Sequence, residues 1–157
     1  MSDRSVEHTT IVVERAYDAP LDRVFAAWAD PQAKARWFHG SDGEFELDFR
    51  EGGWERGRGS LPGGREYAFE ALYREIVPDA RIVYTYDMFV DRVRISVSLV
   101  TAEFRAEGGG TRLVFTEQGA FLDGHETSAS RDQGWGSLLD SLGRWLGPSR
   151  ESGGNSS

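Results

Sequence analysis

The feature that most constrains the fold is the last apolar stretch of the chain, SRDQGWGSLLDSLGRWL at residues 130–146. Its apolar residues recur every three or four positions, as on one face of a helix: Trp135, Leu138, Leu139, Leu142, Trp145 and Leu146. Charged residues such as Arg131 and Asp140 fall elsewhere on the helix. Because residues 44–121 are typical of short strands, the helix is predicted to pack on the apolar face of an antiparallel sheet.

The strands are predicted from a period of two in the hydrophobic pattern. Phe45, Leu47 and Phe49 alternate with charged residues, which is the pattern of a half-buried strand. The predicted strands span residues 9–17, 44–50, 54–60, 65–77, 81–89, 93–106 and 111–118. Two short helices follow the first strand, and the second ends at Trp37-Phe38. The predicted order is strand, two short helices, six strands and the long helix, an α+β fold in which a curved sheet surrounds that helix.

The composition excludes several classes of protein. The 157 residues carry a net charge of −8, which disfavours nucleic acid and anionic membranes as partners. There is no cysteine, so disulfides and thiol catalysis are excluded. No apolar run approaches the ~20 residues that span a bilayer, and the N-terminus does not resemble a signal peptide. We therefore expect a cytoplasmic protein with one domain at residues 9–147, a flexible segment at 1–8 and a disordered Gly/Ser-rich tail at 148–157.

Five phrases, in this order, resemble the SRPBCC (START and birch-pollen-allergen-like) superfamily, and within it the group of activator of heat-shock-protein-90 ATPase homologues. They are DAPLDRVFAAWADPQAKARWF (18–38), DFREGGWERG (48–57), REIVPDARIVYTY (74–86), VTAEFRAEGGGTRLVFTEQG (100–119) and GWGSLLDSLGRWL (134–146). The resemblance implies a helix-grip fold, in which a seven-stranded antiparallel sheet wraps the C-terminal helix. It also implies an apolar cavity between sheet and helix, closed at one end by the two short helices.

Aromatic and apolar residues are the candidates for lining such a cavity. The predicted ligand-binding residues are Trp37, Phe38, Phe45, Trp54, Tyr84, Tyr86, Met88, Phe115, Glu117, Trp135 and Leu139. Aromatic rings would hold an apolar ligand and tyrosine hydroxyls would orient it. The alternative is that these residues only fill the core. Gly134, Gly136 and Gly143 in the long helix leave either room for a ligand or space for close packing on the sheet.

Glu117 is the most informative polar residue. If Leu113 and Phe115 face the core, alternation places Glu117 there too, and a buried carboxylate must be paired, protonated or used in chemistry. Glu117 is thus the best catalytic candidate if the protein is an enzyme, with Glu103 and Arg94 as possible partners. The alternative is that Glu117 lies at the wet rim.

Other chemistry finds little support in the sequence. His8, His39 and His125 lack metal-ligand spacing, although His39 could reach a ligand beside Trp37-Phe38. There is no nucleophile elbow and no phosphate-binding glycine motif; the glycines at 52–53, 57–59, 63–64 and 108–110 fall where hairpins need them. Charge pairs such as Glu55–Arg56 are interpreted as solvated sheet edges. No metal or cofactor is expected.

Three functions remain open. The first is a binding module for a small hydrophobic or aromatic ligand. The second is a cofactor-independent cyclase, dehydratase or hydrolase on the same scaffold, as the superfamily includes. The third, which the group's name suggests, is a chaperone-interacting protein. A homodimer is plausible from the exposed sheet edges, and the sparse catalytic residue types favour the binding module.

Overall fold

The computed structural model describes residues 4–40 and 43–147. Seven antiparallel strands form one sheet in the order β1-β7-β6-β5-β4-β3-β2. Their bounds are β1 Val6–Tyr17, β2 Glu44–Leu47, β3 Trp54–Leu61, β4 Arg65–Val77, β5 Arg81–Val90, β6 Val93–Glu107 and β7 Gly110–Leu122. The helices are α1 Leu21–Ala29, α2 Pro31–Lys34 with a π-helical turn at Ala35–His39, and α3 Ser128–Leu146. The predicted α+β helix-grip fold, a curved sheet around a long C-terminal helix, is confirmed.

The long helix packs on the sheet through a stripe of four apolar side chains, which are spaced four, three and four residues apart along the helix. Trp135, Leu139, Leu142 and Leu146 are each at most 5% exposed. Trp145 was expected in the stripe but is 38% exposed, because it lies to the side of the line through Leu142 and Leu146. The helix begins at Ser128, two residues before the predicted start, where the preceding Thr127 accepts a hydrogen bond from the Ser130 amide at 3.0 Å.

Among the described residues, no helix is both long enough and apolar enough to cross a membrane.

The first and last strands are longer than predicted because they pair with each other. Residues 6–8 of β1 lie opposite residues 120–122 of β7, so β1 begins at Val6 rather than Thr9. β7 correspondingly ends at Leu122 rather than at the predicted residue 118. Residues 1–3 of the predicted flexible segment and the whole predicted tail lie outside the described residues.

Two glycines predicted to serve a hairpin lie inside β3 instead. Gly57 is paired with Phe69, and Gly59 is paired with Tyr67 on β4. A β-carbon at Gly57 would lie 2.5 Å from the Phe69 ring, and one at Gly59 would lie 2.7 Å from the Tyr67 ring. These glycines are needed because two aromatic rings of the neighbouring strand lie directly over them.

A β-bulge sets the inward face of β6. The pairing of β5 with β6 shifts register between Met88 and Phe89, leaving Ile95 as the extra residue. Ile95 and Ser96 are consequently both buried, and Ser98 follows on the inner face. Ser96 and Ser98 lie beneath α3 in the same alternation as the buried Val100, and the bulge turns Arg94 to the outer face.

Candidate ligand cavity

A cavity of about 310 Å³ lies between the inner face of the sheet and α3. Alternate residues of β4 and β5 form one wall, and positions 131, 134, 135 and 138 of α3 form the other. The full lining is Phe38, His39, Glu55, Leu61, Tyr67, Phe69, Ala71, Tyr84, Tyr86, Met88, Glu126, Arg131, Gly134, Trp135 and Leu138. The wall is mainly apolar, and a small set of polar groups interrupts it.

Phe38 closes the cavity from the side of the short helices. The π-helical turn at Ala35–His39 presents Phe38 to α3, where its ring stacks on Trp135 with centroids 5.8 Å apart. The Phe38 ring also meets Phe69 edge-on at 5.4 Å. Because π-helical turns are uncommon and recur at functional sites, this one is consistent with a role in shaping the cavity.

Glu117 is buried, as alternation predicts, and both oxygens of its carboxylate accept hydrogen bonds. Its Oε2 accepts hydrogen bonds from Tyr86 Oη at 2.9 Å, Ser98 Oγ at 2.6 Å and Arg131 Nη1 at 2.6 Å. Its Oε1 accepts one from Trp135 Nε1 at 2.9 Å. Three of the four donors thus meet on Oε2, and one reaches Oε1. Glu117 therefore positions three residues of the cavity wall, Tyr86, Arg131 and Trp135, and it does not itself line the cavity.

Arg131 is the partner that sequence analysis missed. Its side chain is 7% exposed, and all five of its N–H donors are used. Besides Glu117, they reach Tyr86 Oη, Ser96 Oγ and both oxygens of Glu126. The expected partners of Glu117 were wrong: Arg94 pairs with Asp87 on the surface, and Glu103 lies near Arg105 on the surface. The bulge in β6 explains the position of Arg94, because it reverses the alternation before Ser96 and turns Arg94 outward. Glu103 faces outward by simple alternation with Ala102 and Phe104, which are buried.

A second buried polar cluster joins α2 to β3 and β4. Lys34 Nζ donates to Glu55 Oε1 at 2.8 Å, and the Tyr73 hydroxyl donates to the same oxygen. Lys34 is 0% and Glu55 2% exposed. Burial lowers the pKa of Lys34, and the neighbouring Glu55 offsets part of this effect. The Lys34 ammonium also lies 4.9 Å from the Trp28 ring centroid and 4.8 Å from that of Phe38.

Glu55 and Trp54 lie on the faces of β3 opposite to those predicted from the sequence. Glu55 was assigned to a solvated edge, but it faces inward with Gly57 and lines the cavity. Trp54 was assigned to the ligand site, but it lies on the outer face, where the Arg56 guanidinium stacks 4.0 Å from its ring centroid. A strand exposes alternate residues to opposite faces, so the two adjacent assignments had to change together.

The predicted site residues divide into two groups. Phe38, Tyr84, Tyr86, Met88 and Trp135 line the cavity. The residues outside the lining are Trp37, Phe45, Trp54, Phe115, Glu117 and Leu139.

Four of these six lie behind the wall for identifiable packing reasons. Trp37 is 2% exposed and donates to the Ala27 carbonyl at 2.9 Å. Phe115 lies beneath Trp135, with centroids 4.0 Å apart. Leu139 belongs to the buried stripe of α3, whereas Leu138 reaches the cavity. The Phe45 ring packs behind Phe38, with the two ring centroids 6.2 Å apart. The three aromatic rings and the Leu139 side chain therefore support the cavity wall from behind and are not part of its surface.

The glycines of α3 fulfil both of the predicted alternatives. A β-carbon at Gly136 would lie 3.2 Å from Arg15 Nη2, and one at Gly143 would lie 3.3 Å from the Tyr17 ring, so these two permit close packing. Around a β-carbon at Gly134, no described neighbour outside the helix backbone lies within 4 Å. Gly134 therefore leaves open space on the stripe of α3 that faces the cavity.

His39 lines the cavity near its rim, as the sequence suggested it could. Its Nδ1 lies 3.2 Å from the Tyr67 hydroxyl, and its ring stacks on Phe45 with centroids 5.5 Å apart. Within residues 4–40 and 43–147, no group of three or more His, Cys, Asp or Glu side chains could hold a metal ion.

The buried tyrosines predict a cooperative alkaline transition. Burial raises the pKa of Tyr17, Tyr73, Tyr84 and Tyr86 above the ordinary value of 10.0. Because the unfolded chain releases these protons first, the stability they contribute is complete below pH 10 and declines as the pH rises further. At most one of the five tyrosines should ionise before unfolding, as followed by tyrosinate absorbance and circular dichroism. Ionisation of four tyrosines with an unchanged circular dichroism spectrum would contradict this.

Comparison with known proteins gives the family. The family model described as activator of Hsp90 ATPase homolog 1-like protein matches residues 18–147. A solved structure from Rhizobium leguminosarum is 47% identical, with a TM-score of 0.88, and the match covers 91% of this chain and 97% of that one. Mll3558 from Rhizobium loti is 45% identical, with a TM-score of 0.86 and coverage of 90% and 99%. CV1439 from Chromobacterium violaceum is 26% identical, with a TM-score of 0.74 and coverage of 88% and 97%.

No curated protein matches the chain. The family model and the structural neighbours confirm the resemblance to the SRPBCC superfamily. The family fits a ligand-binding module or a cyclase-type scaffold. The chain belongs to the activator of Hsp90 ATPase homolog 1-like family.

Proposed function

We propose that this protein binds a small, largely apolar or aromatic molecule in the cavity between the sheet and α3. The observation that carries the proposal is the cavity itself, about 310 Å³ and walled by aromatic side chains from four separate elements. Pockets of this size with an apolar wall and few polar groups are the usual sites of small-molecule binding.

The open position at Gly134 supports the proposal. Glycine in the middle of a helix costs up to about 1 kcal/mol relative to alanine. Gly136 and Gly143 allow close packing against Arg15 and Tyr17, whereas Gly134 is exposed, lines the cavity and has no described neighbour outside the helix backbone within 4 Å of a β-carbon. Space for a ligand beside the helix accounts for a glycine at this position.

Binding is favoured over catalysis by the state of Glu117. The residue predicted to act as a catalytic acid or base accepts four hydrogen bonds from fixed donors. A general base must reach the proton that it removes, and Glu117 lies behind Tyr86 and Trp135 rather than in the lining. The predictions of a chaperone partner, of a homodimer and of a cytoplasmic location stay predictions.

Filling part of the cavity should weaken binding. In Gly134→Leu the new side chain enters the space next to Trp135, while the higher helix propensity of leucine preserves α3. Titration of the 15N-labelled protein with naphthalene, followed by amide chemical shifts, should give shifts at cavity residues in the wild type and at least about tenfold weaker binding in the variant.

Ser137→Leu is the matched control, because Ser137 is exposed on the same helix and outside the cavity lining. Its naphthalene affinity should equal that of the wild type. A wild-type protein that shows no cavity shifts, or a Gly134→Leu variant that binds as well as the wild type, would overturn the proposal.

A further inference from the structure

We propose that the most buried part of the cavity recognises a neutral hydroxyl group, an alcohol or a phenol, which donates a hydrogen bond to Glu55 and accepts one from Tyr84. The inference rests on the proposed function, because it specifies the class of ligand that the same cavity takes. Glu55 and Tyr84, at 2% and 4% exposed, are the least exposed residues of the lining. A ligand group that reaches them is withdrawn from water and must find its hydrogen bonds there.

Glu55 offers one oxygen to the cavity. Both of its hydrogen bonds, from Lys34 Nζ and from the Tyr73 hydroxyl, end on Oε1. Its Oε2 accepts none from any described residue, although the side chain is almost completely buried. Because Glu55 lines the cavity, Oε2 is an acceptor to which a ligand in the cavity can donate a hydrogen bond.

Tyr84 offers a hydroxyl. Its ring is held between Tyr73 and Tyr86, with centroid distances of 5.5 Å and 6.1 Å. Within the described part of the chain, the Tyr84 hydroxyl makes no hydrogen bond, unlike those of Tyr73 and Tyr86. Burial first, and then the nearby charge of Glu55, raise the pKa of Tyr84, so its hydroxyl remains a donor throughout the neutral range.

The rest of the cavity disfavours a carboxylate ligand. Arg131 is the obvious cation for an acid, but all five of its donors are already used by protein groups. The Lys34–Glu55 pair sums to zero charge, and Arg131 with Glu117 and Glu126 sums to −1. An anion entering this site would meet net negative charge, and Arg131, the arginine of the described lining, has no donor left for it.

A cationic ligand is disfavoured for a different reason. The Glu55 carboxylate is already neutralised by Lys34, whose ammonium lies 2.8 Å from Oε1. A second ammonium on Oε2 would face Lys34 at close range in a buried site. A neutral hydroxyl both donates and accepts, so it satisfies Glu55 Oε2 and the Tyr84 hydroxyl without adding charge.

Three naphthalene probes of one shape test the inference: 2-naphthol, naphthalene and 2-naphthoate, each titrated at pH 7 and followed by amide chemical shifts. The wild type should bind 2-naphthol about 3- to 10-fold more tightly than naphthalene, which is the gain expected for one or two hydrogen bonds. It should bind 2-naphthoate most weakly of the three.

Tyr84→Phe removes only the hydroxyl, and it should reduce 2-naphthol affinity about 3- to 10-fold while leaving naphthalene affinity unchanged. Tyr17→Phe is the matched control, since its buried hydroxyl bonds to the Leu139 carbonyl at 2.8 Å outside the cavity lining. Its affinities for all three probes should equal those of the wild type. The double variant Lys34→Met/Glu55→Gln removes the carboxylate and its counter-ion together, and it should lower the preference for 2-naphthol over naphthalene, because the charged acceptor Oε2 is gone.

The outcomes separate this inference from the proposed function. Equal affinity of the wild type for 2-naphthol and naphthalene, or a Tyr84→Phe variant that binds 2-naphthol like the wild type, overturns hydroxyl recognition and leaves the cavity as a binding site. Tightest binding of 2-naphthoate also overturns it, in favour of an acid ligand. Failure of all three probes to bind overturns the proposed function and this inference with it.

Discussion

Replacing Arg131 by methionine is expected to lower the free energy of unfolding by about 3–5 kcal/mol, the usual cost of removing one partner from a buried ion pair. Glu117 is 0% exposed and would keep its hydrogen bonds from Tyr86, Ser98 and Trp135, but it would lose the only cation that contacts it among the described residues. Methionine preserves much of the apolar stem of arginine, so the loss reports charge and hydrogen bonding rather than a cavity. Urea denaturation of both proteins measures this difference in the free energy of unfolding.

Arg144→Met is the matched control, because Arg144 is exposed near the end of the same helix. The free energy of unfolding of Arg144→Met should stay within about 0.5 kcal/mol of the wild-type value. Arg131→Met/Glu117→Gln should be more stable than Arg131→Met alone, since the second substitution removes the unpaired charge. A loss below about 1 kcal/mol in Arg131→Met would contradict the assignment of Arg131 as the counter-ion of Glu117.

The elements of the fold could be predicted because they depend on local periodicity. Period two over Tyr84, Tyr86 and Met88 places all three on the cavity wall, and the same rule buries Glu117. Rules of this kind fail where one residue is inserted. The bulge at Ile95 changes which side chains of β6 face inward, and its position depends on the pairing of β5 with β6 rather than on the residues of β6 alone.

The polar part of the site could not be predicted in the same way. Lys34 and Glu55 are charged, and such residues are almost never fully buried unless they are paired. Their pairing joins α2 to β3 across 21 positions of sequence, so no local pattern reports it. One signal was present for Glu55: it alternates with Gly57 and Gly59, and glycines spaced by two within a strand indicate a face covered by bulky neighbours. The prediction instead placed the aromatic ring of Trp54, which lies on the opposite face of β3, in the ligand site.

Replacing Glu55 by glutamine is expected to lower the free energy of unfolding by about 3–5 kcal/mol at pH 7, because Lys34 would remain buried without a counter-ion. Glutamine keeps the shape of the side chain and an acceptor for the Tyr73 hydroxyl, so packing changes little. The loss should depend on pH in a defined direction. Burial lowers the pKa of Lys34, and without Glu55 nothing offsets that effect.

A lysine whose pKa is lower in the folded state than in the unfolded chain destabilises the fold at low pH and ceases to do so as the pH rises towards the ordinary value of 10.5. The difference in unfolding free energy between wild type and Glu55→Gln should therefore shrink as the pH is raised from 7 to about 10. Burial, the larger cause, raises the pKa of Tyr73 and Tyr84 in both proteins, so their folded forms stay protonated up to pH 10 and the effect of the tyrosines largely cancels in the difference. If the difference in unfolding free energy stays constant over this pH range, Glu55 stabilises the fold without acting through the charge of Lys34.

Lys34→Met/Glu55→Gln should recover most of the stability lost in Glu55→Gln, because it removes the buried charge and keeps an apolar chain against Trp28 and Phe38. If the recovery is complete, the fold does not require the Lys34–Glu55 pair. The remaining reason to hold a carboxylate at the cavity wall would then be the oxygen that it presents to a ligand. If the double variant is instead less stable than Glu55→Gln, Lys34 stabilises the aromatic cluster even without its counter-ion, and the pair is first of all a structural feature of the fold.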